Sequence, residues 1–237
     1  MGATFQLNMQ RSAFGFLGYV ATEQSVKLAS RLFSTPRSRP FTQDDRALLA
    51  TGQALSLKCG LAATAWGNSE GETILLVHGW QRQRASLGKF VEPLLQAGKR
   101  VVAFDAPAHG DSPGKKTNPL EYAKAILEVG QELGNLDGII AHSMGGGASL
   151  IALSQGLQAK RIVLLASAAD WEYQMRFFAK YLGMPEKAAS RLVRVLEEQV
   201  QADVKQLNSA NVSKQLTQSA LLFHDPNDPR VPYQDSV

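Results

Sequence analysis

The sequence predicts an α/β architecture: one domain with decorations, built on a mostly parallel central sheet with helices on both faces. Three observations predict it. From residue 50 onward, strand-like and helix-like segments alternate. Several strand-like segments, such as Thr73-Ile74-Leu75-Leu76-Val77, are continuous apolar runs rather than alternating ones, the pattern of parallel strands buried on both faces. One of them, Gly138-Ile139-Ile140-Ala141-His142, runs straight into a serine followed by Met144-Gly145-Gly146-Gly147 and a helix-like stretch. With 237 residues and 44% hydrophobic composition, the chain is long enough for one sizeable core and too short for two independent ones.

Residues 1–49 read as a helical extension. The first part of the stretch 14–33 is apolar, but Glu23, Lys27 and Arg31 interrupt it well short of the ~18 residues that a membrane span requires. No A-x-A-like cleavage site follows cleanly, so the segment is expected to be an amphipathic helix and the protein cytoplasmic, with no transmembrane span; the alternative is membrane association or export through this N-terminal segment. Residues 50–169 carry the core. Leu55 to Trp66 forms an opening hairpin, and Thr73–Val77 is the first buried strand. Ser86 is expected to cap a helix whose Leu87, Val91, Leu94 and Leu95 share a face, closed by Gly98. Arg100–Asp105 is the next strand. Asn118 and Pro119 open an amphipathic helix marked by Tyr122, Ile126, Val129 and Leu133. Arg161–Ala166 follows the serine segment as another strand. Residues 170–215 break the alternation with helical sequence rich in aromatics (Trp171, Tyr173, Phe177, Phe178, Tyr181), and Pro185 starts a helix bearing Leu192, Val195 and Leu196. Such an insertion suits a cap over a pocket. Residues 216–237 return to the core through Ala220–His224 and an Asp- and Pro-rich loop.

Composition excludes several classes. A single cysteine, Cys59, rules out an intramolecular disulfide and a thiolate metal cluster, and no cofactor or metal motif is present. A net charge of +4 without a basic-aromatic stripe points away from nucleic acid and toward a small-molecule partner. Oligomeric state leaves no trace in the sequence.

The Ala141-His142-Ser143-Met144-Gly145 stretch fits a nucleophile elbow, with Ala141 in place of the first glycine. Such a turn lifts a serine Oγ above the sheet, and it closes only if the residues two before and two after are small.

Four motifs in order, ILLVHGW, FDAPAHGDS, AHSMG and LLFHDPNDPRVP, resemble those of the α/β-hydrolase superfamily over roughly residues 50 to 235. The resemblance implies an α/β-hydrolase fold, eight-stranded and mostly parallel, with a Ser…Asp/Glu…His triad in that chain order. Carried over, it makes Ser143 the nucleophile, places the oxyanion hole at the backbone N–H groups of Met144 and Trp80, and matches the acid to Asp228, with Asp225 second. It also implies a histidine after one more strand, which the 237 residues do not contain. His78, His109, His142 and His224 are all expected to be structural, His142 pointing into the structure. Were one of them to serve as base, His109 would be the first to mutate. The expectation is therefore a C-terminally truncated serine hydrolase, with the last strand and helix missing, acting on an ester, thioester or related acyl bond. The competing expectation is an inactive binding protein of the same fold.

Overall fold

A computed structural model describes the backbone of residues 2–37, 39–168 and 170–236, and their side chains except those of 2–7 and 235. In chain order the helices and strands are α1 (Gly2–Val20), α2 (Thr22–Ser34), α3 (Gln43–Ala50), β1 (Gln53–Ser56), β2 (Ala62–Trp66), β3 (Thr73–Val77), α4 (Val91–Gln96) and β4 (Arg100–Phe104). Then follow α5 (Pro119–Leu133), β5 (Gly138–His142), α6 (Met144–Ser154), β6 (Arg161–Leu165), α7 (Trp171–Tyr181), α8 (Glu186–Val200), α9 (Ser209–Val212) and β7 (Ser219–Phe223).

The chain divides into two compact units. One comprises residues 36–169 and 209–237 and holds a seven-stranded sheet in the order β1-β2-β4-β3-β5-β6-β7. β1, β2 and β4 pair antiparallel, and β4, β3, β5, β6 and β7 are parallel. The α/β-hydrolase fold with a mostly parallel sheet, read from the sequence, is what the chain adopts. All five residues of β3 are buried, as their unbroken apolarity requires. Tyr122, Ile126 and Val129 of α5 are fully buried. Asn118 caps α5 by accepting the Glu121 N–H at 2.9 Å, with Pro119 in the first turn where its missing N–H costs nothing.

One expectation about these elements needs correction. Ser86 does not cap a helix. It lies inside a 3₁₀ turn over Arg84–Phe90, and its hydroxyl accepts the N–H of Gln83, the residue at the cap position. The reason is local: Ser86 is three residues past Gln83, where a hydroxyl can turn back on the cap backbone. All five residues of β7 are exposed.

The other unit comprises residues 1–35 and 170–208, so the N-terminal extension and most of the aromatic-rich insertion fold together. α2 packs on α8, and the ends of this contact are tied by Arg191 to Glu23 at 3.1 Å and Gln199 to Ser30 at 3.2 Å. Trp171 is buried, its indole N–H donating to the Leu207 carbonyl, and Phe178 meets Phe33 edge-on. Tyr173 and Tyr181 stay exposed.

The amino ends of the parallel strands are held by charge. Asp137, just before β5, is only 3% exposed and faces Lys99 at 2.9 Å, and Lys160 and Arg161 at 3.2 Å each. The Lys99 hydrogen bond holds its carboxyl below the usual carboxylate range in spite of burial. A carboxyl depressed in the folded state stabilises above its unfolded value and loses that contribution as pH falls through the folded one. Asp137→Asn is therefore expected to cost about 1–3 kcal/mol near neutral pH. In urea titrations the gap to wild type should close as pH is lowered. A gap independent of pH would assign the loss to packing instead.

Candidate active site

The chemistry-bearing residues gather at the carboxyl ends of the strands, where open α/β sheets place their ligands. Ser143 is the turn between β5 and α6, with φ 52° and ψ −124°, a backbone region that non-glycine residues rarely occupy. Holding it there costs roughly 1–3 kcal/mol, which the surroundings supply. Its N–H donates to the Leu165 carbonyl at 2.9 Å, and its carbonyl accepts from Gly146 and Ala168. The small neighbours are needed because of what they touch. A Cβ at Gly145 would stand 2.3 Å from the His78 carbonyl oxygen and 3.0 Å from that of Val77. One at Gly79 would stand 2.8 Å from His142 Nδ1 and 3.0 Å from Ser143 Cβ. The loop after β3 thus lies directly against the serine.

That loop is braced at each residue. His78 is 1% exposed, accepts the Ala106 N–H on Nε2 at 3.0 Å and so carries its proton on Nδ1, which donates to the Gly79 carbonyl at 2.7 Å. Burial, reinforced by the neighbouring His109, lowers its pKa to about 3, so the ring is neutral. The Tyr122 hydroxyl donates to the His78 carbonyl at 2.5 Å. His109 accepts the Gln81 N–H on Nε2 at 3.1 Å and donates from Nδ1 to the Pro107 carbonyl at 3.0 Å; burial lowers its pKa as well. Its own loop is fixed by the buried Asp105. That carboxylate accepts the N–H groups of Arg84 and Asp111 and pairs with the Arg84 guanidinium. Burial still pushes the Asp105 pKa up. The Trp80 and Met144 N–H groups make no hydrogen bond among the described residues, and Met144 is the first residue of α6, at the positive end of the helix dipole.

Asp228 sits in the loop after β7. Its Oδ1 accepts the N–H groups of Arg230 and Val231 at 2.8 and 3.0 Å, while Oδ2 makes no bond among the described residues. Burial raises its pKa, but these two N–H groups and the nearby His224 and Arg230 outweigh it and hold the carboxyl below its ordinary range. Asp225 is exposed and caps its own turn through the Asn227 N–H. His224 donates from Nε2 to the Val231 carbonyl and takes the Ser236 hydroxyl on Nδ1, clamping the acid loop.

Three of the four histidines therefore have both ring nitrogens committed, His109 among them, which removes it as the first choice of base. His142 is the exception. It is half-buried rather than turned inward, and it lines a cleft of about 630 Å³ together with His78, Gln81, Arg82 and Gln83. Burial and the Arg82 charge lower its pKa, against a raising influence from Asp228. No imidazole is hydrogen-bonded to Ser143 Oγ among the described residues. The bracing by Tyr122, Asp105 and Arg84 had no signal of its own in the sequence; Tyr122 registers there only as one apolar position of α5.

The sequence profile of the "Alpha/beta hydrolase family" matches residues 74–235. A serine hydrolase-like protein of Dictyostelium discoideum is 34% identical over 128 residues, 49% of this chain and 35% of that one. A human serine hydrolase-like protein is 34% identical over 91 residues, 36% of this chain and 44% of its own. The chain thus spans less than half the length of these curated relatives. Among solved structures, an esterase of Pyrococcus furiosus superposes with a TM-score of 0.63 at 19% identity, covering 86% of this chain and 80% of that one. A monoacylglycerol lipase of Paleococcus ferrophilus gives 0.54 at 25% identity, over 74% and 81%. With its elbow, its sheet order and a family match across most of its length, the chain belongs to the alpha/beta hydrolase family.

Proposed function

We propose that the protein is a serine hydrolase that cleaves an ester, thioester or related acyl bond through an acyl-enzyme on Ser143. The observation that carries this reading is the elbow itself, a serine held at positive φ with the loop after β3 packed against it. Such strain is kept where it presents a reactive group. In this mechanism Ser143 Oγ attacks the acyl carbon, and the carbonyl oxygen becomes an oxyanion that receives the free N–H groups of Met144 and Trp80. The alcohol or thiol leaves with a proton, and water then releases the acid. The step needs a histidine base that takes the serine proton and passes it to the leaving alcohol or thiol; Asp228, with one oxygen fixed and the other open, is the carboxylate that would orient it, and no imidazole among the described residues is bonded to Asp228 or to Ser143 Oγ. The 630 Å³ cleft beside His142 offers room for a small acyl substrate. Names of relatives, "serine hydrolase-like", "esterase" and "lipase", point the same way.

The test is turnover of p-nitrophenyl esters of graded chain length by wild type and Asp228→Asn. Loss of the orienting carboxylate is expected to lower kcat on the order of 10²–10⁴-fold. Unchanged kcat in that variant would remove Asp228 from the mechanism. Absence of turnover across the panel would leave ligand binding in the cleft as the function.

A further inference from the structure

Helix α1 has one face that its own unit uses and one that it does not. Phe14 is buried, Gly15 lies on the Gly183 carbonyl, and Gly18 lies on the Pro185 ring and Ala188. On the other side Met9, Phe16 and Val20 are 59, 67 and 63% exposed, with Tyr19 beside them at 80%. Ala13 is exposed as well, so positions 9, 13, 16 and 20 form an apolar stripe at helical spacing. Scattered apolar residues on a surface are ordinary, but a periodic stripe of them marks an interaction face. Helix α2 continues the theme, exposing Leu28 and Leu32 next to the exposed Lys27 and Arg31.

Charge decides what the face meets. Residues 1–35, which hold both helices, contain three cations, Arg11, Lys27 and Arg31, and one acid, Glu23, a net +2. Glu23 is already occupied by Arg191, whereas Arg11, Lys27 and Arg31 make no ion pair among the described residues. Two copies of this chain meeting on α1 and α2 would bring like charges together; an anionic surface would neutralise them. Among the described residues no helix is long and apolar enough to cross a membrane, so the stripe can lie in an interface but not span one.

We propose that α1 and α2 dock on the surface of an anionic lipid bilayer. Phe16, Tyr19 and Val20 enter the headgroup boundary, and Lys27 and Arg31 meet lipid phosphates. The arrangement of aromatic and aliphatic residues with flanking cations is that of helices that lie in the membrane plane.

The test is cosedimentation with vesicles of equimolar phosphatidylcholine and phosphatidylglycerol, against vesicles of phosphatidylcholine alone. Binding to the anionic vesicles should exceed binding to the neutral ones at least about tenfold and weaken with added salt. Lys27→Gln with Arg31→Gln should cost about tenfold or more of the anionic partition. Phe16→Ser with Val20→Ser should abolish binding while leaving the thermal melt unchanged, since both side chains are exposed. Equal binding to the two vesicle types, binding that survives the Phe16 and Val20 substitutions, or no binding would overturn the proposal. So would a concentration-dependent dimer in sedimentation velocity that those same substitutions dissolve without any vesicle binding.

Discussion

Gly145→Val is expected to eliminate soluble, folded protein. A Cβ at this position would stand 2.3 Å from the His78 carbonyl oxygen and 2.9 and 3.0 Å from Val77 Cγ1 and its carbonyl oxygen. Two of these three are backbone atoms at the end of β3, a strand pinned on both sides by β4 and β5. A flexible side chain could turn aside; this backbone can retreat only by breaking two ladders. Overpacking a core that can relax costs about 1–3 kcal/mol, and Gly145→Ala belongs near the top of that range. Valine adds two methyl groups and a restricted χ1 in the first turn of α6, so its cost exceeds the stability of an ordinary domain's margin. The measurement is the soluble yield and thermal melt of the two variants beside wild type. A valine variant that melts with wild type would mean that helix and strand do not close as described.

Removing the Ser143 hydroxyl is expected to have the largest effect on chemistry. Ser143→Ala should lower kcat/KM for any hydrolysed ester on the order of 10³–10⁶-fold, because the N–H donors remain while the attacking atom is gone. It should also leave the protein at least as stable as before. Ser143 Oγ makes no hydrogen bond among the described residues, so no partner is orphaned, while the φ of 52° is only slightly harder for alanine than for serine. Loss of rate without loss of stability separates a reacting residue from a structural one.

Where the sequence was informative, a local rule determined the outcome. β3 and β5 stood out as short unbroken apolar runs because parallel strands covered on both faces have no polar side to show. The elbow was legible because small residues on both sides of a serine answer a steric demand that acts within five residues. β7 marks the limit of that rule: Leu221, Leu222 and Phe223 are as apolar as a buried strand, yet they are 54, 42 and 55% exposed. Apolarity reports what a strand can bury, not what covers it. The association of residues 1–35 with 170–208 was out of reach in the same way. Periodicity showed that α2 and α8 each have a face to bury, but the Glu23–Arg191 and Ser30–Gln199 contacts that join them span more than 160 residues of chain. The histidines divide along the same line. Structural roles for His78 and His109 followed from their motifs, whereas the half-open position of His142 depends on how Gly79 and Arg82 approach it in space.

The central claim is that Ser143 is an activated nucleophile, and labelling by a fluorophosphonate tests it most directly, because the reagent phosphonylates a serine whose proton is being withdrawn and passes over ordinary hydroxyls. With the histidine base in place, the protein should be labelled once, on the peptide containing Ser143 in tryptic mass maps, with Ser143→Ala unlabelled. Labelling that persists in Ser143→Ala, or that maps to another serine, would contradict it.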